Sequence, residues 1–269
     1  MSSQFIPYGP SRLHYKRYGT GPQIIFCFHG YGESAEHFGI FEPYLGRDFT
    51  LVAIDVPFHG ETDWKGELLF QPEEMLRLMQ QIMAGSREPV VLFGYSMGGR
   101  MALKIFELMP EQVRRIVLVA PDGLYKNKWQ WISTQTKLGN RIFQHAMHHP
   151  GPLLSLLNLA EQLRIFNKRI IRFAHYYLDD ANSRKMLYKI WTTNRRFRPH
   201  PAKVKPLIKQ YQVPVQLIFG KYDRIIPTKR GHHFGKNISP FVQVAELEAG
   251  HQLLREKYAK QIASFFVTG

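Results

Sequence analysis

Apolar residues recur along the chain in short unbroken runs, and segments with helical spacing separate these runs. Runs that are apolar on both faces and alternate with helices are typical of a parallel sheet covered on both sides. Predicted strands occupy residues 15–18, 23–28, 49–55, 89–93, 113–120, 213–219 and 242–247. Helical periodicity is found over residues 73–83 and begins again at Arg100. The pattern therefore predicts an α/β domain with a mostly parallel, doubly wound sheet.

Residues 124–204 interrupt this alternation, because they contain no convincing strand and have the periodicity of several helices. In the segment 161–178, apolar side chains fall on one stripe and basic side chains on another, as in an amphipathic helix. A helical insertion between two strands looks like a cap, or lid, over the carboxyl ends of the strands, where open α/β sheets bind ligands. We therefore expect a core domain of residues 1–123 and 205–269 and a helical cap at 124–204.

The formal net charge of +15 is concentrated in and around this predicted cap. Residues 124–210 hold 17 lysines and arginines against three acidic residues, whereas the rest of the chain has 19 basic and 18 acidic residues. The excess charge is consistent with an anionic substrate, an anionic membrane surface, nucleic acid or a merely solvated surface. We expect no nucleic-acid partner, because no recognised binding module is present.

A membrane surface is suggested by the start of the basic segment. Lys126, Trp129, Trp131, Lys137 and Arg141 mix basic and aromatic residues as interfacial segments do. No stretch approaches the roughly 18–20 apolar residues of a spanning helix, and the amino terminus lacks the pattern of a signal peptide. We therefore expect a cytoplasmic protein without a transmembrane segment, in which peripheral membrane contact is possible. The oligomeric state is not predicted.

Ser96 is the candidate nucleophile, within Gly94-Tyr95-Ser96-Met97-Gly98-Gly99. This motif follows the apolar run 89–93 and precedes the helical stretch that begins at Arg100. A serine on a sharp strand-to-helix turn takes strained backbone angles, and flanking glycines let the neighbouring backbone pass. The turn also points the hydroxyl at the amino terminus of the helix, where N–H groups favour a developing oxyanion.

A serine hydroxyl needs a base to take its proton, and the base needs an orienting partner. Asp223 follows the predicted strand 213–219, and His251 follows the predicted strand 242–247, so both lie in loops at strand ends. The order along the chain is serine, aspartate, histidine. Asp122, in a Pro-Asp-Gly turn after the strand 113–120, is the alternative acid.

This order and these positions resemble the α/β-hydrolase fold superfamily. The resemblance covers the chain outside the predicted cap. The motifs that carry it are Phe28-His29-Gly30-Tyr31, Gly94-Tyr95-Ser96-Met97-Gly98-Gly99, Gly220-Lys221-Tyr222-Asp223 and Gly250-His251. The resemblance implies the α/β-hydrolase fold and its serine-nucleophile branch, because a serine excludes the aspartate-nucleophile haloalkane dehalogenases and epoxide hydrolases.

The same resemblance implies a role for each residue. Ser96 attacks the substrate, His251 acts as general base and then as general acid, and Asp223 holds the imidazole in the required tautomer. The backbone N–H groups of Met97 and Tyr31 form the oxyanion hole. The expected reaction is hydrolysis of an ester or related acyl bond of a small to medium substrate through an acyl-enzyme. It needs no metal and no organic cofactor.

Substrate-binding residues are less defined by the sequence, and His29, Tyr95 and Arg100 are the candidates. The stretch 94–100 is similar to the nucleophile motif of the menaquinone-pathway synthase family that forms succinyl-hydroxycyclohexadiene-carboxylate by eliminating pyruvate. This similarity implies a lyase in which Arg100 binds a substrate carboxylate, while the alternative is a packed or salt-bridged Arg100. A third possibility is a lipase or lysophospholipase that uses the basic cap at anionic membranes.

The remaining chemistry-bearing residues are expected to be structural. Asp55 and His59 shape a loop, and Cys27, the single cysteine, is a buried small residue that excludes an internal disulfide and a cysteine metal cage. Three histidines of the predicted cap, at positions 145, 148 and 149, are interpreted as solvated or stacked rather than as metal ligands.

Overall fold

The computed structural model describes residues 2–86, 88–125, 128–163 and 178–267, and its centre is an eight-stranded sheet. The strands are β1 Ser2–Tyr8, β2 Ser11–Tyr18, β3 Gln23–Phe28, β4 Phe49–Ile54, β5 Val90–Tyr95, β6 Val113–Val119, β7 Val215–Gly220 and β8 Val242–Leu247. They lie in the order β1-β2-β4-β3-β5-β6-β7-β8. β2 pairs antiparallel with both β1 and β4, and all the other neighbours pair in parallel. The predicted α/β class with a mostly parallel sheet is confirmed.

Helices lie between the strands along the chain. They are α1 Glu42–Leu45, α2 Pro72–Ile82, α3 Met97–Leu108, α4 Lys128–Gln135, α5 Lys137–His148, α6 Gly151–Gln162, α7 Ala181–Thr193, α8 Pro201–Tyr211, α9 Lys229–Gly235 and α10 Glu256–Val267. Ala35–Phe41 and Pro110–Gln112 form short 3-10 helices. Across the described residues, none of the helices combines the length and the apolar composition that crossing a bilayer demands.

The central strands are apolar along their whole length because both faces of the sheet are covered. β4, β5 and β7 are buried at every position. On one side, the Phe93 ring of β5 packs edge-on against Phe38, Phe41 and Phe266, with centroid distances of 5.1, 5.2 and 5.0 Å. Burial on both faces removes the alternation of polar and apolar residues that marks a half-exposed strand.

β1 was not among the predicted strands. It pairs with β2 over residues 2–8, but most of its side chains are exposed, so its short stretch Phe5-Ile6-Pro7-Tyr8 does not form a buried face. It also contains Pro7, a residue that sheets accept on edge strands. An exposed edge strand is stabilised by backbone hydrogen bonds, which place little constraint on its residue types, so its sequence does not predict it.

The chain divides into two compact units. The first unit comprises residues 1–66, 70–125 and 196–269 and contains the sheet; the second comprises residues 67–69 and 126–195 and contains α4 to α7. Residues 196–204, placed in the predicted cap, belong to the first unit. There Phe197 packs on Phe70, and the backbone N–H of His200 donates to Glu107 at 3.0 Å. Of the predicted amphipathic helix 161–178, residues 164–177 lie outside the described residues.

The second unit has a small apolar cluster of its own. Met147, Leu178 and Tyr188 are buried at its centre, and side chains of α5 and α6 pack around them. The Asn140 side chain of α5 donates to Thr192 of α7 at 3.2 Å and accepts from the Tyr188 hydroxyl at 3.1 Å. These contacts join α5 to α7 inside the unit.

Candidate active site

Four predicted site residues follow parallel strands directly. Tyr31 lies after β3, Ser96 after β5, Asp223 after β7 and His251 after β8. The carboxyl ends of parallel strands share one edge of a sheet, which is the edge where open α/β sheets bind ligands. All four lie in the first unit. The topology therefore brings together residues that are up to 220 positions apart in the chain.

The turn between β5 and α3 holds Ser96 in a conformation that non-glycine residues rarely adopt, with φ +48° and ψ −113°. Its N–H donates to the carbonyl oxygen of Val119 at 3.0 Å. Its own carbonyl oxygen accepts from the N–H groups of Gly99 and Asp122, both at 2.9 Å. Such a conformation costs about 1–3 kcal/mol and persists only where surrounding contacts impose it. Here three backbone hydrogen bonds impose it.

The loop after β3 lies directly against this turn, and glycines make the approach possible. A Cβ atom on Gly98 would lie 1.8 Å from the carbonyl oxygen of Phe28. A Cβ atom on Gly30 would lie 3.0 Å from the Tyr95 ring and 3.4 Å from Cβ of Ser96. The residues that precede Tyr31 are therefore in contact with the turn that holds Ser96.

A continuous chain of hydrogen bonds joins three of the predicted residues. Ser96 Oγ lies 3.0 Å from His251 Nε2, and His251 Nδ1 lies 2.7 Å from Asp223 Oδ2. The Asp223 side chain is fully buried, whereas that of His251 is 19% exposed. A carboxylate only accepts hydrogen bonds, so Nδ1 carries the proton, and Nε2 faces Ser96 as an acceptor.

Further bonds fix the orientation of this chain. Asp223 Oδ1 accepts from the backbone N–H groups of Ile225 at 2.8 Å and Ile226 at 2.9 Å. The hydroxyl of Tyr95, which precedes the serine, donates to the carbonyl oxygen of His251 at 3.0 Å. Tyr95 is itself buried in the core. Its hydroxyl therefore helps to hold the loop that carries His251 in place.

Asp122, the alternative acid, contacts a different residue. Its Oδ2 lies 3.4 Å from Nη1 of Arg100, and its Oδ1 accepts from the N–H of Gly123 at 2.8 Å. The Arg100 side chain is 7% exposed; burial lowers the pKa of its guanidinium, and Asp122 raises it. Among the described residues, nothing accepts a hydrogen bond from Nε of Arg100. The structure thus gives Arg100 a salt bridge inside the protein and places Asp223, not Asp122, on His251.

His29, a candidate substrate-binding residue, is completely buried and uses both ring nitrogens within the protein. Nδ1 donates to the carbonyl oxygen of Gly30 at 2.8 Å, and Nε2 accepts from the N–H of Val56 at 3.2 Å. Burial lowers the pKa of this imidazole, which is therefore neutral at pH 7. With no nitrogen left for a substrate, His29 holds the loop before Tyr31 against the loop after β4.

Asp55 and His59 shape the loop after β4, as the sequence predicted. Asp55 Oδ1 accepts from the N–H of Ala35 at 2.6 Å, and Oδ2 accepts from His14 at 2.6 Å and from the N–H of Glu61 at 3.0 Å. Although burial opposes it, these bonds keep the pKa of Asp55 below its ordinary value. His59 packs 4.7 Å from the His29 ring, and burial lowers its pKa to about 3.

Glu33 belongs to this site but was not predicted from the sequence. It closes the turn after β3, where its N–H donates to the carbonyl oxygen of Gly30 at 3.3 Å. Its Oε2 is buried and has no hydrogen-bond partner among the described residues. Burial raises the pKa of this carboxyl, while the nearby His37, His251 and Arg255 lower it. Its position three residues after Gly30 was the only signal, and that position does not indicate burial.

The three histidines near the end of α5 stack and bond locally. The His145 and His149 rings lie 4.6 Å apart, and His148 Nδ1 donates to the carbonyl oxygen of Gln144 at 2.8 Å. Within the described ranges, no three histidine, cysteine, aspartate or glutamate side chains form a group that could hold a metal ion. Cys27 is fully buried in β3, and burial raises the pKa of its thiol.

Known proteins resemble this chain along most of its length. The model of the serine aminopeptidase S33 family (Hydrolase_4) matches residues 21–258. YugF of Bacillus subtilis, an uncharacterized hydrolase, is 24% identical over 261 residues, which is 94% of this chain and 93% of the relative. The pimeloyl-[acyl-carrier protein] methyl ester esterase of Salmonella newport is 28% identical over 119 residues, or 44% of each protein.

Solved structures with the same fold include a thioesterase domain and an esterase. The thioesterase domain from the curacin biosynthetic pathway superposes with a TM-score of 0.67 at 15% identity, covering 100% of this chain and 99% of that domain. A thermophilic esterase from Thermogutta terrifontis gives 0.67 at 16% identity, with coverage of 99% and 98%. These likenesses confirm the predicted α/β-hydrolase fold.

Proposed function

The chain belongs to the serine aminopeptidase S33 family of α/β hydrolases, and from that premise we propose that it hydrolyses a carboxylic ester or related acyl bond with Ser96 as nucleophile. The observation that carries the proposal is the hydrogen-bond chain from Ser96 Oγ through His251 to Asp223. It supplies a nucleophile, a base and an orienting carboxylate, each within hydrogen-bond reach of the next.

In the first step Ser96 Oγ attacks the acyl carbon while its proton passes to Nε2 of His251, 3.0 Å away. The imidazolium that forms is stabilised by Asp223, whose two oxygens are held in place by two backbone N–H groups and by Nδ1 of His251. His251 then donates the proton to the leaving alcohol. The products of this half are the free alcohol and an acyl group on Ser96.

The negative oxygen of the tetrahedral intermediate needs hydrogen-bond donors in fixed positions. Met97 is the first residue of α3, so its N–H is among the four that an α-helix leaves without an intrahelical partner. The second donor is the N–H of Tyr31, carried by the loop that Gly30 and Gly98 allow to approach Ser96. Each donor is expected to stabilise the transition state by about 3 kcal/mol.

In the second half, His251 takes a proton from water as the water oxygen attacks the acyl carbon; the bond to Ser96 Oγ then breaks, His251 returns the proton to Oγ, and the acid is released. An ester is favoured over an amide by the similarity to the pimeloyl-[acyl-carrier protein] methyl ester esterase of Salmonella newport, which covers 44% of this chain. No step of this scheme draws on a metal or an organic cofactor. The acyl and alcohol groups belong to a small or medium substrate.

Labelling with a fluorophosphonate probe tests the nucleophile. The wild-type protein is expected to form one covalent adduct and to hydrolyse p-nitrophenyl esters. Ser96→Ala should lose the adduct and roughly a thousandfold or more of the esterase rate. Ser86→Ala, at an exposed serine, is the control and should keep both. An adduct that persists on Ser96→Ala would show that another residue is the nucleophile.

A further inference from the structure

Two helices of the second unit, α5 and α6, each leave large apolar side chains exposed. On α6, Leu156 and Leu159 are 63% and 50% exposed, and Leu163, which follows the helix, is 61% exposed. A spacing of three and four residues places them on one side. Leu153 and Leu157 lie on the opposite side and pack on the Met147, Leu178 and Tyr188 cluster. The helix is therefore apolar on both faces but buries only one inside the unit.

The neighbouring helix α5 has a related arrangement. Phe143 and Met147 face the same cluster, whereas Leu138 and Ile142 point away from it and are 70% and 60% exposed. Arg141, also exposed, lies between these two apolar residues in the sequence. The outer side of α5 thus combines large aliphatic side chains with positive charge.

Exposed apolar side chains and excess positive charge are both concentrated in the second unit. Of thirteen large apolar side chains that are exposed in the described residues, seven lie in the second unit, which is about a quarter of the chain. The sequence of this unit has twelve lysines and arginines against four acidic residues, whereas the rest has 24 against 17. Exposed aliphatic surface is costly in water, and its clustering marks an interaction site.

Surfaces that bind a protein partner and surfaces that bind a bilayer differ in their content of charged residues. The buried centre of a protein interface is depleted in charged residues, particularly lysine, whereas here Lys137 and Arg141 are exposed beside the apolar side chains. Helices that lie in a membrane interface have this composition, with aliphatic side chains at the acyl boundary and basic ones at anionic headgroups. The charge complements an anionic surface.

We propose that the outer faces of α5 and α6 dock on an anionic phospholipid bilayer, with Leu138, Ile142, Leu156 and Leu159 entering the headgroup region and Lys137 and Arg141 contacting the lipid phosphates. The proposal does not depend on the hydrolase activity, because docking and turnover are measured separately.

Co-sedimentation with sucrose-loaded vesicles tests it. The wild-type protein should bind vesicles of phosphatidylcholine with phosphatidylglycerol at least about tenfold more tightly than vesicles of phosphatidylcholine alone, and added salt should weaken binding. Lys137→Gln with Arg141→Gln should weaken binding roughly 25-fold, since each basic residue near an anionic surface contributes about fivefold. Lys257→Gln with Lys260→Gln, the same charge change at exposed positions of α10, should change binding less than about twofold.

A second pair of variants tests the apolar part. Leu156→Ser with Leu159→Ser should remove the binding that remains at high salt, whereas Tyr44→Ser, at an exposed position of the first unit, should not. Circular dichroism checks that each variant is folded. Absence of vesicle binding, equal binding to neutral vesicles, or equal loss in the control variants would overturn the proposal. So would a dimer that the leucine substitutions dissociate, since a second copy of the chain would then cover this face.

Discussion

Asp223→Asn replaces one carboxylate oxygen of the candidate site by an NH₂ group, and the neighbouring hydrogen bonds determine which way the new amide faces. Oδ1 accepts two backbone N–H groups, from Ile225 and Ile226, while Oδ2 accepts from Nδ1 of His251. An asparagine has one oxygen and one NH₂ group. The oxygen must stay on the two backbone donors, since the alternative would point NH₂ at two N–H groups. The NH₂ group therefore faces Nδ1.

A donor facing Nδ1 reverses the tautomer of His251. Nδ1 becomes the acceptor, the proton moves to Nε2, and Nε2 can no longer take the proton of Ser96. Where a triad is held in this wrong tautomer, kcat falls about ten-thousandfold, which corresponds to roughly 5.5 kcal/mol of transition-state stabilisation. Because both backbone N–H groups keep an acceptor, the free energy of unfolding should change by less than about 1–2 kcal/mol. A large loss of rate with a small loss of stability is the specific expectation.

The assay is steady-state hydrolysis of an activated ester at pH 7, with urea unfolding measured on the same samples. Asp122→Asn is the matched control, because it makes the same substitution in a carboxylate that pairs with Arg100 and not with His251. It should keep kcat within about tenfold of wild type. A drop of less than tenfold for Asp223→Asn, or an equal drop for Asp122→Asn, would refute the tautomer argument.

Two further substitutions test the surroundings of Ser96. Gly98→Ala would gain about 1 kcal/mol of helix propensity in α3, but the new methyl group would lie 1.8 Å from the carbonyl oxygen of Phe28. We therefore expect urea unfolding to show a net loss of stability, and a gain in stability would contradict this contact. Glu33 has a raised pKa, so its contribution to stability is present below its ordinary pKa of 4.5 and is lost as pH rises through the raised value. Glu33→Gln, which stays neutral, should therefore gain stability relative to wild type between pH 4 and pH 8, and urea unfolding that shows a constant difference would disprove it.

The buried strands and helices were predictable because buried positions are occupied by apolar residues. β5 and the helix after it could be placed from the apolar run 89–93, the glycine motif and the periodicity that starts at Arg100, and the observed strand and helix, Val90–Tyr95 and Met97–Leu108, agree closely. At the surface this signal disappears. β1 is joined to β2 by backbone hydrogen bonds, which depend little on residue type, so its mostly exposed side chains do not show the unbroken burial of a central strand.

The residues of the candidate site also differ in how far the sequence could predict them. Residue types and their positions at strand ends indicated Ser96, Asp223 and His251, because a nucleophile, an acid and a base at the carboxyl ends of parallel strands share one edge. Choosing between Asp122 and Asp223 required distances, since both aspartates follow strands. The burial of His29 and Glu33, and the salt bridge of Arg100, likewise depend on side chains from other strands.

The sequence by itself determined the α/β class, the nucleophile motif and the chain order of its partners, because local propensity, apolar runs and glycine positions act within a few residues. Only the tertiary structure decided which carboxylate meets His251, which histidine is enclosed and which leucines of α5 and α6 stay outside. These outcomes depend on packing and hydrogen bonds between segments far apart in the chain. Such contacts contribute free energy only when folding brings those segments together.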